Sequence, residues 1–75
     1  MTLIVGSKAL LHTEIAEAIY IDESGSLVLE YPDCIRTVID PPSNALAQIA
    51  MAEAEGKPVV EFEDASLYME VVDED

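Results

Sequence analysis

Apolar and polar residues alternate along most of this chain with a period of two, the pattern of strands that bury one face. Leu3, Val5, Leu10 and Leu11 mark a first strand over residues 3–11, with Gly6-Ser7-Lys8 placed to make a turn or bulge in its middle. His12 to Glu17 reads as a short polar connector with room for one helical turn. Ala18 to Asp22 predicts a second strand, with Ile19 and Ile21 on one face. Glu23-Ser24-Gly25-Ser26 predicts a turn, because Gly25 supplies a positive φ cheaply. Residues 27–31 give a third strand, Pro32-Asp33 suits the centre of a type I turn, and Ile35 to Ile39 gives a fourth strand.

The period then changes. Asp40-Pro41-Pro42-Ser43 predicts the start of a helix: proline is tolerated in a first helical turn, and Asp40 or Ser43 can cap it. Leu46, Ile49 and Ala50, with Glu53 at the margin, share one face of a helix within residues 41–56. Gly56 suits the position just past its end, and the Ala-rich face lets it approach a sheet closely. After Lys57-Pro58, Val60 and Phe62 alternate with Glu61 and Glu63. Asp64-Ala65-Ser66 turns the chain, and Leu67, Met69 and Val71 alternate with Tyr68, Glu70 and Val72. Residues 57–72 therefore predict a C-terminal β-hairpin, and residues 73–75 an acidic tail. The whole pattern predicts one α+β domain: a small antiparallel β-sheet, with a meander over 3–40, and one α-helix packed on it.

Composition adds that 51% of the 75 residues are apolar, enough to build a core from Ile, Val, Leu, Met and Ala. A chain this short buries only about 60% of its unfolded surface, so a homodimer would be a natural remedy. Cys34 is the lone cysteine, which rules out an internal disulfide and points to a reducing cytoplasm. Met1 to Val5 has no basic segment ahead of it, so no signal peptide is predicted. No apolar run approaches the ~18 residues of a membrane span.

Charge changes the picture most. Sixteen Asp and Glu residues face only Lys8, Arg36 and Lys57, a formal net charge of −13. A compact domain repels itself at that charge, so some other advantage is expected to offset the cost. From Glu53 to Asp75 there are nine acids and only Lys57, a net charge of −8. Strand alternation puts Glu61 and Glu63 on one face; if the last strand pairs with that one, Glu70 joins them, with Tyr68 and Val72 alongside. Asp73, Glu74 and Asp75 would form the rim. Closely spaced carboxylates can imitate duplex DNA, which carries one negative charge per ~1.7 Å of axis. The plainer reading is a solvated face that keeps the protein soluble.

Other candidate chemistry is thin. His12 beside Glu14 could be a general base oriented by a carboxylate, or a polar residue closing a strand. Cys34 could be a nucleophile or an ordinary half-buried thiol. Asp22-Glu23-Ser24-Gly25-Ser26 has a calcium-loop look, but Gly25 is fourth where an EF-hand needs it sixth. His and Cys lack the ligand count for a metal site, so no cofactor or metal is expected.

Gly6, Leu10-Leu11-His12, Glu14-Ile15, Ile19 and Leu27-Val28-Leu29 fall where comparable residues lie in a small family of bacterial flagellar-associated proteins, which the stretch from Gly6 to about Glu55 resembles. That resemblance implies a meander of strands followed by a helix, and no functional residue. The size, the charge and the absence of a catalytic motif resemble those of small phage-encoded inhibitors, the anti-CRISPR proteins and DNA mimics. This second resemblance implies a non-enzymatic inhibitor whose partner is a basic, nucleic-acid-binding protein rather than nucleic acid or membrane. Its partner-binding residues would be Glu61, Glu63, Tyr68, Glu70, Val72, Asp73, Glu74 and Asp75. The alternative is a structural or adaptor module, possible as a homodimer, whose acidity is incidental.

Overall fold

A computed structural model of the chain describes residues 1–6 and 9–71. Val72, Asp73, Glu74 and Asp75 lie outside the described residues, as does the Ser7-Lys8 pair. The fold is α+β, with seven strands, one α-helix and a single 3-10 turn among the described residues. The strands form two sheets rather than one.

The first sheet has the order β2-β1-β6. Strands β1 (Thr2–Val5) and β2 (Ala9–His12) are antiparallel, so the stretch read as one strand over 3–11 folds back on itself. Gly6 makes this possible at φ 65°, a left-handed backbone that a Cβ would strain. The third member, β6 (Val59–Phe62), runs parallel to β1. Leu3, Val5, Leu11 and Phe62 bury one face of this sheet, while Ile4, Leu10, Val59 and Glu61 lie on the other.

The second sheet is fully antiparallel, in the order β3-β4-β5-β7. It comprises β3 (Ala18–Ile21), β4 (Leu27–Glu30), β5 (Cys34–Ile39) and β7 (Ser66–Val71). Leu27, Leu29 and Val38 are fully buried on its inner face. Val28, Thr37, Tyr20 and Tyr68 line up across its other face. The turn from β3 to β4 is held by Asp22, whose Oδ1 accepts from the Ser24 N–H at 2.9 Å, the Ser26 N–H at 3.0 Å and the Ser24 hydroxyl at 2.7 Å. A 3-10 turn over Thr13–Ile15 joins the sheets. It is anchored by buried Thr13, whose hydroxyl donates to the Met1 carbonyl at 3.0 Å.

Helix α1 (Ala45–Glu55) starts later than the sequence predicts. Its N-cap is Asn44, so neither Asp40 nor Ser43 caps it. Asp40 instead takes a left-handed backbone at φ 56°, which Asp tolerates better than most residues and which turns the chain away from β5. The buried face is Ala45, Ile49 and Ala52; Ile49 is buried as expected, while Leu46 and Ala50 are exposed. Gly56 ends the helix in the left-handed conformation.

The predicted C-terminal hairpin does not form. Strands β6 and β7 follow each other in sequence but belong to different sheets. Two better ladders explain this. β5 offers β7 six paired positions, from Ile39–Ser66 to Cys34–Val71. β1 offers β6 a partner whose Leu3 and Val5 bury alongside Val60 and Phe62. Ala65, 7% exposed, packs into the core where the chain passes from one sheet to the other.

Candidate functional site

Because β6 and β7 separate, the four expected partner-binding residues that are described, Glu61, Glu63, Tyr68 and Glu70, do not converge. Glu61 and Glu63 lie together beyond the outer face of the first sheet, lining an open cleft with Ile4 and Gly6. Tyr68 and Glu70 lie on the second sheet, where they face Thr37 and Ile35 on β5. Glu70 therefore does not join Glu61 and Glu63 in one strand pair, contrary to the sequence reading. Val72, Asp73, Glu74 and Asp75 fall outside the described residues.

What Glu61 and Glu63 do meet is a different set of acids. A groove of about 510 Å³ is bounded by Asp40, Pro42 and Gln48 on one side, and by Glu61, Phe62, Glu63, Asp64 and Ala65 on the other. Four of these eight residues are carboxylates and none is basic. Each side chain is placed by a local cause. Burial of Phe62 on the core face turns its neighbours Glu61 and Glu63 outward. The left-handed Asp40 redirects the chain before α1. The Ala65 N–H donates to the Phe62 carbonyl at 3.4 Å and the Gly6 N–H to the same carbonyl at 2.9 Å, tying the turn that carries Glu63 and Asp64 to the β1 end. Sequence reasoning missed Asp40, taken as a helix cap, and Asp64, taken as a turn residue. The detectable signal for Asp64 was its place in the acidic run. For Asp40 no local signal existed, since its proximity to Glu61 is a tertiary fact.

The described cations are occupied elsewhere. Arg36 stacks on the buried ring of Tyr31, 4.6 Å from its centroid. Lys57 pairs with Glu55 at 3.3 Å. The N-terminal ammonium pairs with Glu14 at 2.7 Å, and that contact, ahead of a backbone hydrogen bond and the nearby His12, holds the Glu14 carboxyl below its ordinary value. Lys8 lies outside the described residues.

The remaining candidates for chemistry have plain structural surroundings. His12 ends β2 in solvent, 3.8 Å from Glu14 and 3.5 Å from the Thr2 hydroxyl. Cys34 is buried at the start of β5; burial first, then a hydrogen bond with Asp33, pushes its thiol pKa up, away from the nucleophilic form. The Asp22 carboxylate is spent on the Ser24 and Ser26 groups, which lower its pKa, so the calcium-like spacing here builds a turn. Among the described residues no group of three His, Cys, Asp or Glu side chains is arranged to hold a metal ion. No helix among them is long and apolar enough to cross a membrane.

Comparison with protein-family models, with curated proteins and with solved structures finds no match to this chain.

Proposed function

We propose that this chain is a small acidic binding protein that inhibits a basic, nucleic-acid-binding protein by occupying its cationic surface, with no chemistry of its own. One observation carries this reading: the groove between α1 and the β6–β7 turn presents Asp40, Glu61, Glu63 and Asp64, with no basic residue among the described residues that line it. Gathering four carboxylates costs stability through mutual repulsion, and a partner's Arg and Lys would relieve it. The mechanism is competition. The carboxylates take the place of phosphates on the partner, and complementary charge speeds the encounter and excludes acidic competitors. Exposed Tyr68 supplies apolar area of the kind that fixes specificity in such interfaces. The free buried thiol of Cys34 fits a reducing cytoplasm as the place of action.

The test is affinity capture on the immobilised chain from a bacterial lysate, read by mass spectrometry after washing at low and at high salt. The expected result is a basic nucleic-acid-binding protein held at low salt, released at high salt, and not held by a folded Glu61→Lys/Glu63→Lys/Asp64→Lys variant. Equal capture by that variant would refute the reading.

The exposed apolar residues Tyr68, Met69 and Val71 favour a second reading, an adaptor module bound through an apolar surface. It predicts capture that is indifferent to salt.

A further inference from the structure

Two rows of side chains cross the outer face of the four-stranded sheet. The pairing registers set Tyr20, Val28, Thr37 and Tyr68 in one row, and Ala18, Glu30, Ile35 and Glu70 in the next. The tyrosines stand at opposite ends of their row, about 14 Å apart over three strand spacings, and the rows lie about 7 Å apart. Tyr20 is 40% exposed and Tyr68 56%. Val28, between them, is buried but is no part of the hydrophobic core, so the neighbours that shield it lie on this face. Helix α1 packs on β6, in the other sheet.

A filled centre makes this face a platform rather than a pocket, and the grooves of the molecule are lined by other residues. Small ligands bind in concave sites, so a flat face with two spaced rings suits another macromolecule. Tyrosines on a sheet can stack nucleobases, but proteins that bind nucleic acid this way also bring cations to the phosphates. Here Glu30 and Glu70 stand beside the rings, and no Lys, Arg or His occupies a paired position of either row. A second copy laid face to face would set these carboxylates against their own counterparts, on chains that each carry −13.

What matches the face is arginine. A guanidinium stacks flat on an aromatic ring and donates through a planar fork to a carboxylate, and here each exposed ring has a carboxylate close by. The Tyr20 hydroxyl donates to Glu30 Oε2 at 2.6 Å, which holds that carboxylate at the edge of the ring. Tyr68 and Glu70 are two residues apart on β7 and so share the face. The chain uses the same stacking internally, where Arg36 lies 4.6 Å from the Tyr31 ring centroid. Arg36 belongs to the inner face, opposite Leu29, so among the described residues Tyr20 and Tyr68 have no cation of their own.

We propose that the outer face of the four-stranded sheet is a second contact surface for the basic partner and takes arginine side chains: one stacked on Tyr20 with Glu30 accepting from its guanidinium, another stacked on Tyr68 with Glu70 accepting. The acidic groove attracts any cation, whereas the tyrosine face selects arginine over lysine. This deepens the inhibitor reading, on which it rests for the partner's charge.

The test is a nuclear magnetic resonance titration of the full-length chain with hexa-arginine and, separately, with hexalysine, read at the tyrosine ring signals. Hexa-arginine should shift the rings of Tyr20 and Tyr68 more than that of buried Tyr31, and should bind about threefold or more tighter than hexalysine at equal salt. A folded Tyr20→Leu/Tyr68→Leu variant should keep its affinity for hexalysine and lose the preference for arginine. The proposal is overturned by Tyr20 and Tyr68 rings that hexa-arginine leaves unmoved, by equal affinity of the parent chain for the two peptides, or by a folded variant that keeps the preference. Rings moved more by the neutral glycan cellohexaose than by hexa-arginine also overturn it, and assign the face to carbohydrate. The readings on the parent chain decide the matter even where the variant does not fold. Failure of the inhibitor reading looks different: the ring shifts and the arginine preference persist, while capture from lysate holds no basic nucleic-acid-binding protein.

Discussion

Strands β6 and β7 are separated by three residues and look alike on paper, each alternating apolar residues with glutamate. In the fold they become opposites. β6 buries Phe62 against β1 and turns Glu61 out into the acidic groove, so its inner face is fixed and its outer face is charged. β7 is paired along its whole length but only Leu67 is partly covered; Tyr68, Met69, Glu70 and Val71 are all exposed. The difference teaches that alternation specifies which residues share a face, while the partner strand decides what that face meets. One edge presents charge and the other presents apolar surface, within a few residues of each other in sequence.

The sharpest way to break the contrast is to truncate the inner face of each strand. Phe62→Ala removes a buried ring and should cost about 3–5 kcal/mol, while Met69→Ala should stay within about 0.5 kcal/mol. Urea unfolding of both variants checks this; comparable losses would mean that β7 is as well covered as β6.

Next in size is the charge difference. Reversing Glu61, Glu63 and Asp64 to Lys together should weaken partner binding by several kcal/mol, at ~1.5 kcal/mol or more per desolvated pair. Glu70→Lys alone should cost less, since Glu70 lies on the other sheet, away from the groove. Calorimetric titration with the captured partner separates the two, once circular dichroism shows that both variants fold.

Smaller still is the pH effect at the two turns that carry lowered carboxyls, Glu14 and Asp22. Both bind their proton less readily in the folded chain than in the unfolded one. Their contribution is therefore complete above the ordinary carboxyl pKa values of 4.5 and 3.8, and it disappears as pH falls through the lower folded values. Protonating the other carboxylates relieves repulsion over the same range, so the contribution is read as a difference between parent and variant. The stability gap between the parent and Asp22→Asn, measured by urea midpoints from neutral to acid pH, should be constant near neutrality and close in acid. A gap that stays open in acid would assign the turn to contacts that do not depend on charge.

The local half of this structure was legible in the sequence and the long-range half was not. The α+β class followed from a period of two interrupted by one Ala-rich stretch ending at Gly56. The outward placement of Glu61 and Glu63 followed from their alternation with Val60 and Phe62. Pairing did not follow. Thr2 meets Val59, and Leu3 meets Val60, across more than fifty intervening residues, and nothing local distinguishes that parallel ladder from a hairpin of β6 with β7. Asp40 was invisible as part of the groove for the same reason. Its left-handed backbone and its nearness to Glu61 depend on where α1 begins, and Asn44 rather than Asp40 marks that point.

The central claim is that carboxylates gathered at the groove draw a basic partner. The most direct measurement is the dissociation constant of the captured partner between about 0.1 M and about 1 M salt, a range over which the screening length falls from about 10 Å to about 3 Å. The account predicts that affinity of the parent chain falls steeply across this range, while the weak residual binding of Glu61→Lys/Glu63→Lys/Asp64→Lys changes little. A parent chain whose affinity is flat with salt, or a folded variant that binds as tightly as the parent, would contradict it.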